Sequence, residues 1–390
     1  MPFAFRLEAS SHGARAGTLV TDHCEIPTPV FMPVGTQATV KGTTIDGILD
    51  TGARILLGNT YHLCMRPGVD LIERAGGLHK FMGWEGAILT DSGGYQVFSL
   101  ASLRRLGDDG VRFRSHVDGS LHMFTPESVM AAQARIGADI LMSFDYFGGI
   151  PCPRPDAEHS VALTTAWARR GREVNGARFN LRGYEQVVFG IVQGAEYEDL
   201  RRRSAQEIME LDFPGYAIGG LAVGEDKQQT RDIVELCAAM LPIDRPRYLM
   251  GMGTPLDLVE GVARGVDMFD CVLPTRNGRT GTVFTRDGRV VLKNAAHTSD
   301  FAPIDAQCGC STCRRHTRAY LRHLFLAEEM LGPMLATQHN LHFFADVMRE
   351  ARAAIVEDRF ESWRSDFVER YQRGEAARVR DSVDNQRRIS

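Results

Sequence analysis

The sequence predicts an α/β fold: a (β/α)8 TIM barrel with a β-hairpin insertion and a C-terminal zinc-binding subdomain. Three observations carry this. Eight short apolar runs recur up to Asp270 and read as nearly continuous hydrophobics, as parallel strands covered on both faces do. Amphipathic segments with recognisable caps lie between most of them. Three cysteines, Cys308, Cys310 and Cys313, fall close together, while the other five are scattered.

In order, the runs are residues 29–34, 55–57, 87–89, 140–144, 187–192, 216–218, 248–250 and 268–269, and nearly every one ends in Gly or a polar residue. Helical patterns follow. Thr125-Pro126 supplies an N-cap and a first-position proline for a helix toward Ile136. Residues 156–174, 196–211, 226–241 and 255–264 follow the same logic, the last led by Thr254-Pro255 with Asp257 in its first turn. In such a barrel the reactive groups sit at the carboxyl ends of the strands. That rule selects Asn59, Asp91, Asp145, Gln193, Gly220, Gly251 and Asp270. A doubly wound open sheet is the structural alternative, and it would bind at one switch point instead.

Three regions depart from the alternation. Residues 111–124 alternate around Asp118-Gly119 and predict a β-hairpin insertion. Residues 282–293 predict a second hairpin with Asp287-Gly288 at its turn. After the cysteines come helices from about Thr317 to Tyr371, and the polar tail from Arg373 is expected to fray. The expected division is residues 1–281 as the barrel and residues 282–390 as a zinc-binding subdomain with C-terminal helices, the last barrel helix among them.

Hydrophobic content of 44% and charged content of 24% suit a globular chain. No apolar run approaches the roughly 18 residues of a membrane span. The start, Met1-Pro2-Phe3-Ala4-Phe5-Arg6, has no signal-peptide pattern, so the expectation is a cytoplasmic protein without a membrane partner. A net charge of −4 argues against an overall basic coat; a nucleic-acid partner would have to meet a local patch. Only four of the 45 basic residues are lysines (Lys41, Lys80, Lys227, Lys293), so anion contacts would be planar and bidentate.

Three thiolates need a fourth ligand to complete a tetrahedral zinc site. His316, His323, His339 and His342 are candidates; His316 is strained by its closeness, and His339, in a helical stretch, is favoured. A site closed by four protein ligands would be structural, one Zn2+ per chain, pinning hairpin and terminal helices to the barrel.

The chemistry is expected around Asp270. It ends an apolar run, and the chain then turns through Pro274 into a loop carrying Arg276 and Arg279. A carboxylate beside two guanidinium groups suits a reaction on a nucleic acid. Asp91-Ser92-Gly93-Gly94-Tyr95 joins a second acid to a glycine turn and an aromatic able to stack on a flat ligand. Asp145, Gln193 and the backbone at Gly220-Leu221 offer donors and acceptors along a purine edge, and Met250 could cover the other ring face. Carboxylates crowded together would raise one another's pKa, so that one serves as general acid while another stays ionised.

These stretches resemble the bacterial tRNA-guanine transglycosylases, the queuine tRNA-ribosyltransferases. The resemblance runs through residues 28–35, 57–62, 90–96, 190–194, 218–225, 248–255 and 269–276 to the Cys3His cluster. It implies a homodimeric enzyme of queuosine tRNA modification, which exchanges the guanine at wobble position 34 of a tRNA with a GUN anticodon for a 7-deazaguanine. Carried over, Asp270 looks like the nucleophile that forms a covalent bond to ribose, and Asp91 like the general acid/base. Asp91, Ser92, Gly93, Gly94, Tyr95, Asp145, Gln193, Gly220, Leu221 and Met250 would hold the base. Gly251, Met252, Gly253, Thr254, Pro255, Leu256 and Asp257, with Thr275, Arg276, Asn277, Gly278 and Arg279, would contact the RNA. Cys308, Cys310, Cys313 and His339 would hold zinc.

One departure matters. After Asp145 the chain reads Tyr146-Phe147-Gly148-Gly149-Ile150-Pro151-Cys152-Pro153, where the family has a Glu-Cys pair and a Thr-Pro-Tyr-Pro-like run. That loop borders the 7-substituent side of the base, whereas Val223 matches the bacterial pattern. The aminomethyl base preQ1 is the expected incoming substrate, with queuine or another 7-deazapurine as the alternative. Thr254 stands where some relatives carry lysine. Two competing readings are a non-catalytic tRNA-binding paralogue, disfavoured by the presence of Asp91 and Asp270, and a metal-dependent amidohydrolase, for which His62 is the only near strand-end histidine.

Overall fold

The computed structural model describes residues 2–100, 102–149, 152–221 and 226–389. Ile150 and Pro151 of the loop after Asp145, and Val223, lie outside the described residues.

All eight apolar runs enter one ring of parallel strands: Val30–Met32 continued by Val34–Gly35, then Ile55–Asn59, Ala87–Asp91, Ile140–Met142, Gln186–Val192, Gly215–Ile218, Arg247–Leu249 and Met268–Asp270. The first strand breaks at Pro33, which has no amide hydrogen for a ladder. Its first half pairs with the last strand, Phe31 opposite Phe269, and its second half with the second strand, Val34 opposite Leu57, so the ring closes. Alternate residues point to opposite sides. Met32, Ile55, Leu89, Ile140, Phe189, Ala217 and Met268 fill the interior, while Phe31, Leu56, Ile88, Leu141, Val188, Leu249 and Phe269 pack under the helices. Burial on both sides is why the strands are apolar at nearly every position.

The expected helices form. Pro126–Ile136 starts at N-cap Thr125 in a capping box with Ser128, and Pro255–Ala263 starts at Thr254 in a box with Asp257. Arg154–Asn175, Glu198–Met209 and Lys227–Met240 lie between the corresponding strands. The long helix Leu331–Val356 returns to pack on the first strand, with Phe344 against Phe31 at 4.9 Å, and on Pro255–Ala263.

Five features differ from expectation. The opposite end of the barrel is plugged by an antiparallel sheet, Ala4–Ser11, Ala14–Val20 and Glu25–Thr28, whose Leu19 and Ile26 join the interior cluster. His23, in that sheet's second turn, and His79 stack at 3.9 Å and flank Asp139 at 2.6 and 3.1 Å, fastening the plug to the start of the fourth strand. The insertion has three strands, Ser102–Gly107, Gly110–Arg114 and Leu121–Phe124; a register shift between Ser102 and Arg105 hides the first from a period-two reading. The stretch after Asp270 is not a loop but a helix, Leu273–Thr280, with Pro274 in its first turn and Gly281 ending it at φ 91°. In the second hairpin Thr285 opposes Gly288, so Arg286-Asp287 make the turn, one residue earlier than read. The tail does not fray at Arg373: the helix Phe360–Ile389 continues, held where Arg289 donates to Glu375 at 2.6 Å. Among the described residues no helix is long and apolar enough to cross a membrane.

Candidate active site

A cavity of about 640 Å³ opens at the carboxyl ends of the strands. Its wall includes Asp91, Ser92, Gly93, Tyr95, Asp145, Gln193, Gly220, Leu221, Met250 and Asp270, contributed by six different strand ends. Gly94 lies just behind, where a Cβ would come within 2.5 Å of the Asp145 carbonyl oxygen; only glycine fits.

Asp270 is the last residue of the eighth strand. Its Oδ1 accepts from the Tyr248 hydroxyl at 2.6 Å and the Gly251 amide at 2.8 Å. Among the described residues no hydrogen bond goes to its Oδ2. Burial pushes its pKa up, and the two donors oppose that. Asp91 ends the third strand. Oδ1 accepts from the amides of Thr60 at 3.0 Å and Gly93 at 3.1 Å, and Oδ2 from Asn59 and, at 3.2 Å, Gln96 Nε2. Burial first, then the charges of Asp270 and Asp145, raise its pKa to about 7, against the two amide bonds. The cavity wall therefore holds one carboxyl group that titrates near neutrality and a second, Asp270, with one oxygen committed to two donors.

Asp145 lies three residues beyond the fourth strand. Its Oδ1 accepts from Ser92 Oγ at 2.7 Å and its Oδ2 from Gln193 Nε2 at 2.8 Å, and burial raises its pKa. Gly220 holds φ at 68°, and a Cβ there would meet Gln193 Oε1 at 2.3 Å. This wall can accept hydrogen bonds from the N–H edge of a guanine-like base and donate one to its oxygen. Phe147 completes it, its ring 5.7 Å from Tyr95 and 5.4 Å from Phe98.

The residues singled out for RNA divide. Gly251, Met252, Gly253, Thr254, Asp257 and Arg276 line the cavity, and Asn277 and Arg279 lie on the partly open side of the helix after it. Pro255, Thr275 and Gly278 are buried, and a Cβ on Gly278 would sit 2.7 Å from the Thr337 backbone. Leu256 is half-buried in its helix. Sequence reasoning missed Tyr248, Gln96 and Lys227. The first two hide in a strand and beside a louder motif; Lys227 reaches in from the neighbouring helix to Asp257 at 2.7 Å.

Cys308, Cys310, Cys313 and His339 gather into a buried cluster, their sulfurs 3.7, 3.5 and 3.3 Å from His339 Nδ1. A tetrahedral zinc with Zn–S of about 2.3 Å and Zn–N of about 2.05 Å sets S···N near 3.5 Å, so the donor set fits a metal ion. His339 Nε2 lies 2.7 Å from the Phe284 carbonyl oxygen, which fixes the tautomer and leaves Nδ1 free to ligate. Asn340, next on the helix, bonds the Phe284 amide and the carbonyls of Pro274 and Thr282. The cluster thus ties the hairpin, the long helix and the Arg276 helix together. The other metal-capable groups among the described residues are Cys308 with His342 and Asp346, beside this cluster, and His23, His79 and Asp139, at the plugged end. Neither includes His62 or stands at the mouth.

Comparison with known proteins agrees with this geometry. A family model described as queuine tRNA-ribosyltransferase matches residues 10–373. The chain is similar to the queuine tRNA-ribosyltransferase of Caldanaerobacter subterraneus subsp. tengcongensis, 54% identical over 358 residues, which cover 92% of this chain and 94% of that one. It is similar to that of Pelotomaculum thermopropionicum, 53% identical over 370 residues, covering 95% and 98%. For that of Thermoanaerobacter pseudethanolicus the identity is 54% over 362 residues, covering 93% and 95%.

Proposed function

The chain belongs to the queuine tRNA-ribosyltransferase family, and from that premise we propose that it exchanges the guanine at wobble position 34 of tRNAs with a GUN anticodon for a 7-deazaguanine, through a covalent bond between Asp270 and ribose C1′. The observation that carries this is the pairing of Asp270 and Asp91 in one cavity. Asp270 Oδ2 bonds to C1′ as the C1′–N9 bond breaks, and Asp91, protonated near neutrality, gives its proton to the departing guanine. The incoming base then loses its N9 proton to Asp91, N9 bonds to C1′, and the ester to Asp270 breaks. Two inversions retain the sugar configuration.

Ser92, Gly93, Asp145, Gln193, Gly220 and Leu221 form the edge-reading wall, with Tyr95 and Met250 on the two ring faces. Phe147 supports preQ1 over bulkier bases: Gly220 is so placed that even a Cβ on it would touch that ring, at 3.5 Å. Residues 251–254, Asp257 and Arg276 would meet the nucleotides around position 34, with Arg279 on nearby phosphates. The cysteine–histidine cluster would hold one zinc ion, whose role is to fasten the hairpin and helices. Met330, 80% exposed, and Phe301, 76% exposed, stand out with Tyr320, Leu326 and Leu331 in the C-terminal part of the chain, exposed apolar side chains that suit a homodimer. A cytoplasmic setting, where tRNA is met and thiols stay reduced, suits the cluster.

The test is incubation with labelled tRNA and guanine, preQ1 or queuine in competition. Asp270→Ala is expected to bind tRNA yet give no denaturant-resistant adduct. An adduct of undiminished yield removes Asp270 from the nucleophile's role, and preferential incorporation of queuine removes preQ1.

A further inference from the structure

The three-stranded insertion leaves the barrel between the third and fourth strands, one short helix, Gly94–Leu100, after Asp91. Its two faces are unlike. On the inner face Val111, Phe113 and Phe124 are buried against Tyr61, Phe144 and Trp167. Tyr61 packs on Phe113 at 5.5 Å, and the amide of the preceding residue, Thr60, donates to Asp91. The sheet is thus one side-chain layer from the reactive carboxyl. Its far turn is held where Trp167 Nε1 and Arg170 Nη1 donate to the Asp108 carbonyl at 2.8 and 3.0 Å.

The outer face carries Arg105, Arg112 and Arg114 with Leu121 and Met123. Arg105 stands directly opposite Arg112, Met123 opposite Arg112, and Leu121 opposite Arg114. Like charges directly opposite one another destabilise a sheet. Among the described residues, neither Arg105 nor Arg112 makes an ion pair or a hydrogen bond, and Arg114 donates only to the Gly119 carbonyl, at 2.9 Å. None of the three strands carries an acidic residue: Asp118 is held by Ser120, and Asp108 and Asp109 lie in the turn. In a chain of net charge −4, this row of unneutralised guanidinium groups asks for an anion from outside.

We propose that the outer face of this sheet is a second phosphate-binding surface for the RNA substrate, engaging the backbone beyond the wobble nucleotide while Arg276 and Arg279 engage it from the eighth strand's side of the rim. The inference rests on the transglycosylase reading for the identity of the polyanion. Strands three and eight are separated around the ring by the first and second, so the two basic elements would bracket the mouth. Guanidinium forks contacting phosphates position a nucleic acid without reading its sequence.

The test uses the full chain with Arg105, Arg112 and Arg114 all changed to glutamine, and a second variant with all three changed to lysine. Both tRNA affinity and steady-state base exchange are measured on full-length tRNA across a KCl series. Without three cations to neutralise phosphates, the glutamine variant should bind about tenfold more weakly at moderate salt, and its slope of log affinity against log salt should be shallower by about 2 to 3. KM should rise with kcat unchanged, because the face touches no reacting atom. The lysine variant should keep most of the affinity and the slope. Unchanged affinity and slope in the glutamine variant overturn the proposal, and would leave the face to a protein partner. Wild-type protein that binds tRNA but exchanges no base would instead refute the catalytic reading, while the binding series still tests the surface.

Discussion

Removing one hydroxyl, in Tyr248→Phe, tests how Asp270 is kept ionised in a buried site. Burial raises the pKa of Asp270, and the bonds from Tyr248 at 2.6 Å and the Gly251 amide at 2.8 Å lower it. The phenol's own pKa is pushed well above its usual value, by burial first and then by the charge of Asp270, so Tyr248 remains a donor throughout. A hydrogen bond to a charged group contributes about 1.5–3 kcal/mol. At about 1.4 kcal/mol per pKa unit, its loss raises the Asp270 pKa by about 1 to 2 units. In the proposed reaction the carboxylate is the reacting form, so the acidic limb of adduct formation should move to higher pH by that amount. Below the limb the rate falls about 10- to 100-fold, and above it variant and wild type converge. The assay is single-turnover trapping of labelled tRNA on a denaturing gel from mildly acid to mildly alkaline pH. The phenyl ring still fills the buried site, so thermal melting should change little. An acidic limb that does not move, or a rate lost equally at every pH, refutes the reasoning.

Gly220→Ala should raise KM for the base at least about tenfold, because its Cβ would meet Gln193 Oε1 at 2.3 Å and its φ of 68° resists a side chain; an unchanged KM would separate Gln193 from base recognition. Cys310→Ser should yield protein lacking bound metal by elemental analysis and melting well below wild type, and a metal-replete, stable variant would contradict the ligand set. Asp91→Asn should abolish exchange and also change stability with pH. The folded pKa of Asp91 is raised from 3.8 to about 7. Its ionisation therefore costs wild-type stability progressively as pH rises between those values, up to about 4 kcal/mol above pH 7. The asparagine variant, whose amide meets some of the same donors less well, should recover part of that at alkaline pH and none near pH 4. Equal urea-unfolding pH profiles for the two proteins would show that Asp91 carries no such strain.

The barrel was legible because its strands are buried on both faces, so every residue of a run such as 186–192 is buried and mostly apolar. The plug was not, because its strands answer to other demands. Ala4–Ser11 leaves Arg6, Leu7 and Glu8 exposed, and Ala14–Val20 buries Arg15, whose Nε lies 3.2 Å from Asp267 while Nη2 donates to the Arg245 carbonyl. A charged residue buried by a distant acid looks like a loop residue from the sequence alone. The helix Leu273–Thr280 escaped for a related reason. Five of its eight residues, Pro274, Thr275, Asn277, Gly278 and Thr280, are weak helix formers, and it stands because Gly278 lets it lie against Thr337 of the long helix, with Asn340 bonding the Pro274 carbonyl.

The carboxylates were legible from one geometric rule, that reactive groups of a barrel gather at the strands' carboxyl ends. Several of their partners, Ser92, Gln193 and Gly251 among them, were legible as well, but Tyr248 was not, because a hydrogen bond across adjacent strands leaves no trace in spacing. Lys227 shows how such a gap misleads. The family resemblance marks Thr254 as a departure, which on the sequence alone reads as one cation lost from the mouth. In space Thr254 is the N-cap of its helix, accepting from the Asp257 amide at 3.2 Å, and the second oxygen of the Asp257 carboxylate is held by Lys227 at 2.7 Å. An ammonium group therefore stands at the cavity wall after all, supplied by the preceding barrel helix. If that cation meets the substrate's phosphates, Lys227→Gln should weaken tRNA binding and leave the helix intact, whereas Thr254→Ala should cost about 1 kcal/mol of stability through the lost cap and leave the salt slope of binding unchanged. The reverse pattern would place the contact at residue 254 and reduce Lys227 to a surface ion pair.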